Sequence, residues 1–193
     1  MANTATSIYI GVDEYLDFDA NPDMNFQQSD HTIEMWINPV SVQAGGGRLL
    51  TKSNAEYGGH VLYIAGGSPN TVPQSLRNNH SASGTGWSMQ ANTGVTFAAG
   101  VWMHLAVVSA GGEILYYNNG VLANTFPKAT TSTTATISPI RIGRNHTGAE
   151  GVEMYLDQFR VSLTARYGNI DIPTASLKTW QTAGRGQNAL LPH

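Results

Sequence analysis

The sequence predicts an all-β fold, built from two antiparallel sheets packed as a sandwich and followed by an irregular C-terminal arm. Apolar segments of strand length recur about every 8 to 12 residues, with glycine, asparagine and proline between them. Residues 102–108 form an almost unbroken apolar run, which is typical of a strand covered on both faces. No segment has a helical period long enough to compete with this pattern.

Residues 102–126 predict a three-stranded antiparallel meander, around which we expect the rest of the fold to be built. The first strand, 102–108, is followed by apolar segments at 114–117 and 121–126. Asn119-Gly120 joins the last two segments. Asparagine and glycine tolerate the positive φ angles of a type I′ turn, whose twist matches that of the strands it connects.

The other predicted strands are shorter or less regular. They cover residues 8–12, 16–18, 31–38, 48–52, 61–64, 75–81, 87–90, 128–136, 140–142 and 155–163. In 31–38, three apolar residues alternate with Glu34 and Trp36, so that the two groups face opposite sides of the strand. We expect Pro39 to end this strand, because proline lacks the N–H group that a ladder of hydrogen bonds requires.

At 193 residues the chain is long enough for one domain with a substantial core. We predict a β-sandwich domain over residues 1–167 and an arm over residues 168–193, where the sequence has neither a strand period nor a helix period. Chain ends usually fray unless other residues hold them in place. The apolar residues of the arm are therefore interpreted as assembly residues that dock on this domain or on a neighbour; they are Trp180, Leu190 and Leu191.

The composition excludes several classes of partner. Only 12% of the residues are charged, about half of the usual share of roughly 25%, and uncharged polar surface is cheaper to bury against neighbours or sugars than charged surface is. The net charge is −3 without a cluster of basic residues, so we expect neither nucleic acid nor a membrane as a partner. The chain has no cysteine, which leaves the redox compartment open. The first residues do not resemble a signal peptide, so we expect synthesis in a host cytoplasm.

Four stretches, taken in order, resemble one known family. They are residues 32–39 (TIEMWINP), 47–52 (GRLLTK), 102–108 (WMHLAVV) with the hairpin at 117–121 (YNNGV), and 140–144 (IRIGR) followed by 156–161 (LDQFRV). Their order and spacing resemble the concanavalin A-like, laminin G-like jelly-roll domains, in the branch near the pentraxins. The resemblance covers roughly residues 8–167. Its ending, with the motifs FRV and ARY at 159–161 and 165–167, is most similar to the copies found in bacteriophage structural proteins.

The resemblance implies two stacked antiparallel sheets and, usually, no catalysis. Members of the family bind carbohydrates or proteins, often through loops at one rim, and some bind calcium there. Where the family commonly has aspartate before the turn glycine, this sequence has Asn119, which keeps the turn but removes a charge. We therefore carry over no calcium site, leave the metal content open and expect no cofactor.

The carboxylate spacing argues against glycoside hydrolysis. The glucanases related to this family carry Glu-x-Asp-x-x-Glu on one strand, and the nearest match here is Glu153 with Asp157, without a third acid. Carboxylates four residues apart on a strand are separated by about 13 Å. A retaining pair needs about 5 to 5.5 Å and an inverting pair up to about 9.5 Å. The sequence also lacks a Gly-x-Ser-x-Gly elbow and a phosphate-binding loop.

The other acidic and histidine residues have structural interpretations. Asp157 is expected to share a strand face with Phe159, Val161 and Leu163. We expect it to tie down a neighbouring loop, because a carboxylate on an apolar face needs hydrogen bonds; the alternative is a metal ligand. The acids between residues 13 and 23 lack the spacing of a calcium loop and are expected to form a solvated edge. The six histidines lack zinc-type spacing, and His104 is expected to hydrogen-bond within the core.

The candidate ligand-binding residues are aromatic, amide and imidazole side chains near the predicted loops. Aromatic faces together with planar amides could recognise sugars at a loop rim. The alternative is that the tryptophan packs on the sandwich and the asparagines serve turns; both interpretations stay open. The candidates are Tyr57, Trp87, Asn118, Asn145 and His146.

These observations predict a non-enzymatic structural or adhesive module of a virion surface, most simply a phage capsid decoration, or cement, protein. The expected partners are sister subunits in a homo-oligomer, the capsid shell protein and surface glycans. The first alternative is a soluble carbohydrate-binding lectin. The second is an enzyme related to the glycoside hydrolases.

Overall fold

The computed structural model of the chain describes residues 7–21, 29–42, 46–52, 60–65, 74–80, 89–128 and 138–168. These residues contain twelve β-strands and no helix. In chain order the strands are β1 (Ile8–Ile10), β2 (Leu16–Phe18), β3 (His31–Val42), β4 (Gly47–Lys52), β5 (His60–Ala65), β6 (Gln74–His80), β7 (Met89–Phe97), β8 (Met103–Ala110), β9 (Glu113–Asn118), β10 (Val121–Pro127), β11 (Ile140–Ile142) and β12 (Val152–Ser162). Residues 129–136, most of the strand predicted at 128–136, lie outside the described residues.

The described strands form two six-stranded antiparallel sheets. Sheet A has the order β1-β12-β3-β8-β9-β10, and sheet B has the order β2-β11-β4-β5-β6-β7. Within the described residues, the chain passes from one sheet to the other six times: between β1 and β2, β2 and β3, β3 and β4, β7 and β8, β10 and β11, and β11 and β12. These crossings place the two sheets face to face, as in a jelly roll. The predicted all-β sandwich is confirmed.

The core lies between the two sheets. In β3, Ile33, Met35 and Ile37 are fully buried there, as their alternation predicted, and Leu50 of β4 packs into the same cluster. Burial of one such aliphatic side chain contributes about 1.5–3 kcal/mol. The register of β3 is therefore strongly fixed, because a shift by one residue would turn Glu34 into this apolar layer.

The central strand β8 is buried on both faces, as its apolar sequence predicted. Every side chain from Met103 to Ser109 is buried. One face contributes Leu105 and Val107 to the core between the sheets. The other face belongs to a second apolar cluster, on the outer side of sheet A, whose buried members are Ala106, Val108, Leu115 and Tyr117.

The hairpin between β9 and β10 has the predicted type I′ geometry. Asn119 has a φ angle of 51° and Gly120 one of 84°, so both central residues occupy the left-handed region. The turn is also fastened to β8, since Asn119 N donates to the carbonyl of His104 and the amide of His104 donates to Asn119 Oδ1, both at 2.8 Å. The predicted meander of β8, β9 and β10 is confirmed.

Pro39 does not end β3, which continues to Val42. Pro39 is paired with Met154 beside a register shift in the ladder between β3 and β12. Its carbonyl accepts a hydrogen bond from Gly100 N at 2.8 Å, outside that ladder. The irregularity therefore allows the strand to pass through a residue that has no N–H group to donate.

Strand β7 is longer than predicted and runs to Phe97 instead of ending near residue 90. Thr93, Val95 and Phe97 are buried, and the residues between them are exposed, which is the alternation of an ordinary strand. Gly94 has a φ angle of 74°, and the pairing of β6 with β7 shifts register at this level. The sequence Ala-Asn-Thr-Gly, which resembles a turn, thus forms an irregular part of a strand.

A β-bulge in β12 separates two residues that the sequence placed on one face. Gln158 has a φ angle of 51°, and the register with β3 shifts between Asp157 and Arg160. Asp157 consequently pairs with Trp36 on the outer face of sheet A, whereas Phe159 packs against the core. The prediction that Asp157 and Phe159 share a face was wrong, because a bulge moves all following side chains by one position.

Candidate functional site

The outer face of sheet A carries a buried carboxylate, that of Glu34, which is 1% exposed. Its oxygens accept hydrogen bonds from Arg160 Nε at 2.6 Å, from Arg166 Nη1 at 2.5 Å and from the Tyr167 hydroxyl at 2.7 Å. Arg160 Nη2 is a fourth donor. A buried carboxylate is stable only when charge and hydrogen bonds compensate for its lost hydration. We call this group, Glu34 with Arg160, Arg166 and Tyr167, the Glu34 clamp.

The Glu34 clamp holds the chain that follows β12 against the outer face of sheet A. Thr32 Oγ1 donates to the carbonyl of Thr164 and accepts from Arg166 N, both at 3.0 Å. The Tyr117 hydroxyl donates to the carbonyl of Gly168, and the Tyr117 and Tyr167 rings meet edge to face with centroids 6.0 Å apart. Burial, together with the hydrogen bond to the carboxylate, raises the pKa of the Tyr167 hydroxyl.

His104 lies on the same outer face and not in the core between the sheets. It pairs with Trp36 across β3 and β8, and the two ring centroids are 5.4 Å apart. His104 Nε2 is 3.6 Å from Glu34 Oε2, beyond hydrogen-bonding distance, and its Nδ1 has no hydrogen-bond partner among the described residues. The prediction that this ring hydrogen-bonds within the core was therefore wrong, although the ring is buried.

An exposed aromatic pair lies at the β1 edge of sheet A. Tyr9 and Tyr155 are directly opposite each other in adjacent strands, with ring centroids 5.1 Å apart and an interplanar angle of 53°. The Tyr9 hydroxyl donates to Glu153 Oε1 at 2.5 Å, and Ser41 Oγ donates to Glu153 Oε2 at 2.6 Å. The hydrogen bonds from Ser41 and Tyr9 lower the pKa of the Glu153 carboxyl, so this group is ionised at neutral pH.

Two signals for this pair were present in the sequence. Tyr9 and Tyr155 each stand between two aliphatic residues in a strand pattern, which turns each ring to the face opposite the core. The sequence interpretation nevertheless missed the pair, because the pairing of β1 with β12 joins residues almost a whole domain apart. The sequence pattern also placed Trp102 inside the buried strand at 102–108. In the structure Trp102 precedes β8 and is 39% exposed.

The connection between β11 and β12 contains Asn145, a predicted binding residue. Asn145 Oδ1 accepts hydrogen bonds from Thr147 N at 3.0 Å, from Thr147 Oγ1 at 2.8 Å and from Ala149 N at 2.7 Å. Its Nδ2 donates to Glu150 Oε2 at 2.9 Å. Both ends of the amide are therefore used to shape this loop, as in the alternative in which the asparagines serve turns.

Asn118 and His146, two further predicted binding residues, lie at the same end of the sandwich as Asn145. The Oδ1 atom of Asn118 is buried and has no hydrogen-bond partner within the described ranges, and the carbonyl of His146 accepts from Arg141 Nη1 at 3.3 Å. In sheet A, however, β9 lies three strands from β12, which corresponds to about 14 Å. The fold thus brings these residues to one end without gathering them around a single small ligand.

The other predicted binding and assembly residues lie outside the described residues, and their roles stay predictions. The same applies to the division at residue 168 between domain and arm, apart from the contacts of Gly168 described above. These residues are Tyr57, Trp87, Trp180, Leu190 and Leu191.

The acids between residues 13 and 19 are exposed, as predicted, but arginines hold two of them, whereas Asp23 lies outside the described residues. Arg141 Nε and Nη2 donate to the two oxygens of Asp17, each at 2.7 Å. Arg144 Nη2 lies 3.3 Å from Asp13 Oδ1, and the Arg141 guanidinium stacks on Tyr15 with its Cζ 3.9 Å from the ring centroid. These contacts fasten β2 and the loop before it to β11 and the residues after it.

No group of three or more histidine, cysteine or acidic side chains that could hold a metal ion occurs in the described ranges. The expectation of no cofactor stays a prediction. The described residues also include no helix that is long and apolar enough to cross a membrane.

Comparison with known families and structures agrees with this architecture. The family model described as the concanavalin A-like lectin/glucanases superfamily matches residues 11–167, and the match ends at a residue of the Glu34 clamp. A search of curated proteins found no match.

Several solved structures share the fold at low sequence identity. The binding domain of Paraclostridial Mosquitocidal Protein 1 aligns with a TM-score of 0.63 and 18% identity over 83% of this chain, which spans 41% of that chain. Domain 4 of AbnA, an extracellular arabinanase from Geobacillus stearothermophilus, was solved in complex with arabinotriose. It aligns with a TM-score of 0.58 and 13% identity over 91% of this chain and 81% of that chain. The SAP-like pentraxin of Limulus polyphemus aligns with a TM-score of 0.50 and 18% identity over 72% of this chain and 65% of that chain.

Proposed function

The chain belongs to the concanavalin A-like lectin/glucanases superfamily, and we propose that it serves as a non-enzymatic attachment module on a virion surface. The observation that carries this proposal is the way in which the described carboxylates are used. Glu34 accepts hydrogen bonds within the Glu34 clamp, and Asp17 accepts them from Arg141. Glu150 accepts one from Arg48 Nε at 2.8 Å. Each of these acids stabilises the fold and none is left as a free reactive group.

The environment of Glu153 also supports a function without catalysis. A general acid in a glycosidase has a pKa raised toward the working pH, whereas hydrogen bonds from Ser41 and Tyr9 lower the pKa of Glu153. Asp157 is the second acid of the nearest glucanase-like motif. It pairs with Trp36 and lies next to Tyr155 on the outer face of β12. Glu153 therefore lacks the raised pKa of a glycosidase proton donor.

Display on a virion is supported by the family resemblance and by the structural role of the motif that is most similar to phage structural proteins. The motif FRV followed by ARY, similar to that of phage structural proteins, supplies Arg160, Arg166 and Tyr167 to the Glu34 clamp. The chain is thereby held on the outer face of sheet A as far as Gly168. In this proposal the arm at 168–193 attaches the module to sister subunits or to the capsid shell, and no cofactor is needed.

Particles purified from the source that encodes the chain test this proposal. Mass spectrometry of the particles and immunogold labelling with antibodies against the recombinant chain should place it on the outer surface. Recombinant chain shortened to residues 1–168 should remain folded and should no longer bind particles stripped of the protein. Absence of the chain from purified particles would contradict the proposal.

A soluble carbohydrate-binding lectin is the second candidate. The exposed Tyr9–Tyr155 pair favours it, and the structural neighbour from the arabinanase was solved in complex with arabinotriose. Saccharide binding by a monomeric full-length chain that is absent from particles would favour this candidate over display on a virion.

A further inference from the structure

We propose that Tyr9 of β1, together with Tyr155 and Glu153 of the neighbouring strand β12, forms a saccharide-binding platform at the edge of sheet A. This inference rests on the proposed attachment function and names one site for it. It differs from the loop-rim residues that the sequence predicted, since it lies on strands β1, β3 and β12.

The first argument is exposure. Tyr9 is 48% exposed and Tyr155 is 39% exposed, and they lie on the outer face at the β1 edge of the described sheet. A single exposed ring needs no explanation, but two opposed rings form a contiguous apolar surface, which commonly marks a binding site. The faces of aromatic rings carry negative charge density and attract the weakly positive C–H groups of one side of a sugar ring.

The second argument is that the platform is rigid before any ligand binds. The Tyr9 hydroxyl and the Ser41 hydroxyl hold the two oxygens of Glu153 at 2.5 and 2.6 Å. The carboxylate in turn holds the Tyr9 ring against Tyr155. Binding then costs little side-chain entropy, which is one part of the cost of association.

The third argument is hydrogen-bonding capacity. Each oxygen of a carboxylate has two acceptor sites, and each oxygen of Glu153 uses one for its protein hydroxyl, so one site on each remains for hydroxyl groups of a ligand. Hydrogen bonds from hydroxyl groups to a charged acceptor are stronger than those between neutral groups.

Charge selects the class of saccharide. Glu153 is negative and Glu14 lies close enough to act electrostatically on Tyr9, so a sulfated, phosphorylated or sialylated ligand would be repelled. A purely apolar peptide would desolvate the carboxylate without replacing its hydrogen bonds. A neutral sugar supplies both an apolar face and hydroxyl donors. The occupant that this surface fits is therefore a neutral saccharide.

A glycan array carrying neutral and sialylated oligosaccharides, followed by calorimetric titration with the best neutral ligand, tests the inference. We expect the full-length chain to bind neutral glycans. Tyr155→Ala should raise the dissociation constant about tenfold or more, since truncating an aromatic residue at the centre of a binding site commonly has at least that effect. Tyr155→Phe should bind within about twofold of wild type, and Glu153→Gln should weaken binding. Trp102→Ala is the matched control, because Trp102 is also 39% exposed but lies before β8.

The possible outcomes distinguish failure of the Tyr9–Tyr155 platform from failure of the proposed attachment function. If Trp102→Ala abolishes glycan binding while Tyr155→Ala does not, the platform is refuted and carbohydrate binding itself remains. If the wild-type chain binds no neutral glycan, or binds sialylated ones preferentially, the platform is refuted, whereas display on a virion is tested separately on particles. Binding of tetramethylammonium at this pair without any glycan would identify an aromatic cation site instead. Thermal melts of each variant verify that it is folded, and Tyr155→Phe and Glu153→Gln keep the test decisive if Tyr155→Ala unfolds.

Discussion

Replacing Glu34 with glutamine should destabilise the fold strongly, although Glu34 lies outside the core between the sheets. The substitution keeps the size of the side chain but removes the charge that two guanidinium groups share. It also replaces one acceptor oxygen with an amide nitrogen that can only donate. The Tyr167 hydroxyl, which donates to Glu34 Oε2 at 2.7 Å, then loses its partner or meets another donor.

The expected magnitude follows from the burial of the partners. Removing one member of a buried ion pair costs about 3–5 kcal/mol. The side chains of Arg160 and Arg166 retain 33% and 26% of their exposure, so water takes over part of their solvation. We therefore expect the lower limit, about 3 kcal/mol, which corresponds to a fall in melting temperature of about 6–12 °C for a domain of this size.

Urea denaturation of wild type and Glu34→Gln, with thermal melts, measures the effect. The midpoint should fall while the m-value stays the same, which identifies a change in stability. Asp13→Asn is the control, because Asp13 also pairs with an arginine but its side chain is 81% exposed, and it should cost less than about 1 kcal/mol. If Glu34→Gln costs no more than Asp13→Asn, the Glu34 clamp does not hold the fold together and the reasoning is refuted.

Three further substitutions test other parts of the fold by the same urea denaturation. Gly151→Ala should cost about 3 kcal/mol, because its Cβ would lie 1.9 Å from the carbonyl oxygen of Val12; a cost below about 1 kcal/mol would contradict the close approach. Gly120→Ala should cost about 1–2 kcal/mol at its φ of 84°, and an unchanged midpoint would argue against the type I′ turn. Burial lowers the pKa of Lys52, so wild-type stability should rise with pH between this folded-state pKa and about 10.4, where only the unfolded amine binds a proton. Lys52→Met should lack this rise; an identical pH dependence in both proteins would refute the assignment.

The sequence predicted those parts of the fold in which local chemistry and tertiary structure require the same conformation. Asn119-Gly120 could form a type I′ turn wherever it occurred between two strands, and the apolar run of β8 required cover on both faces. The alternation of Ile33, Met35 and Ile37 placed one face of β3 in the core. These patterns depend on residues close together in the chain, which is why one sequence was enough to read them.

The parts that were not predicted depend on pairings between distant segments. The bulge at Gln158 has no local signal, and it decides that Asp157 lies on the other face from Phe159. Pro39 is tolerated within β3 because of its irregular pairing with β12. The sequence placed Glu34 with Trp36 on the face away from the core, but it could not show that a segment about 130 residues later would bury this carboxylate.

The candidate site was predicted less well than the fold for the same reason. Asn145 has the right chemistry for a ligand, yet the turn around it uses both ends of its amide. Tyr9 and Tyr155 become a pair only when β1 adds to the edge of β12. Binding residues of a β-sandwich are assembled from several strands, so their composition is visible in one sequence and their grouping is not.

The central claim is that this fold attaches the chain to other molecules and breaks no bonds. Incubating the purified full-length chain with laminarin, arabinan and the best ligand from the glycan array, while measuring both retained polysaccharide and newly formed reducing ends, tests it most directly. The account predicts that any polysaccharide retained is recovered intact, with no more reducing ends than in a mixture without protein. Release of reducing ends by wild type that is lost in a folded Glu153→Gln variant would contradict it.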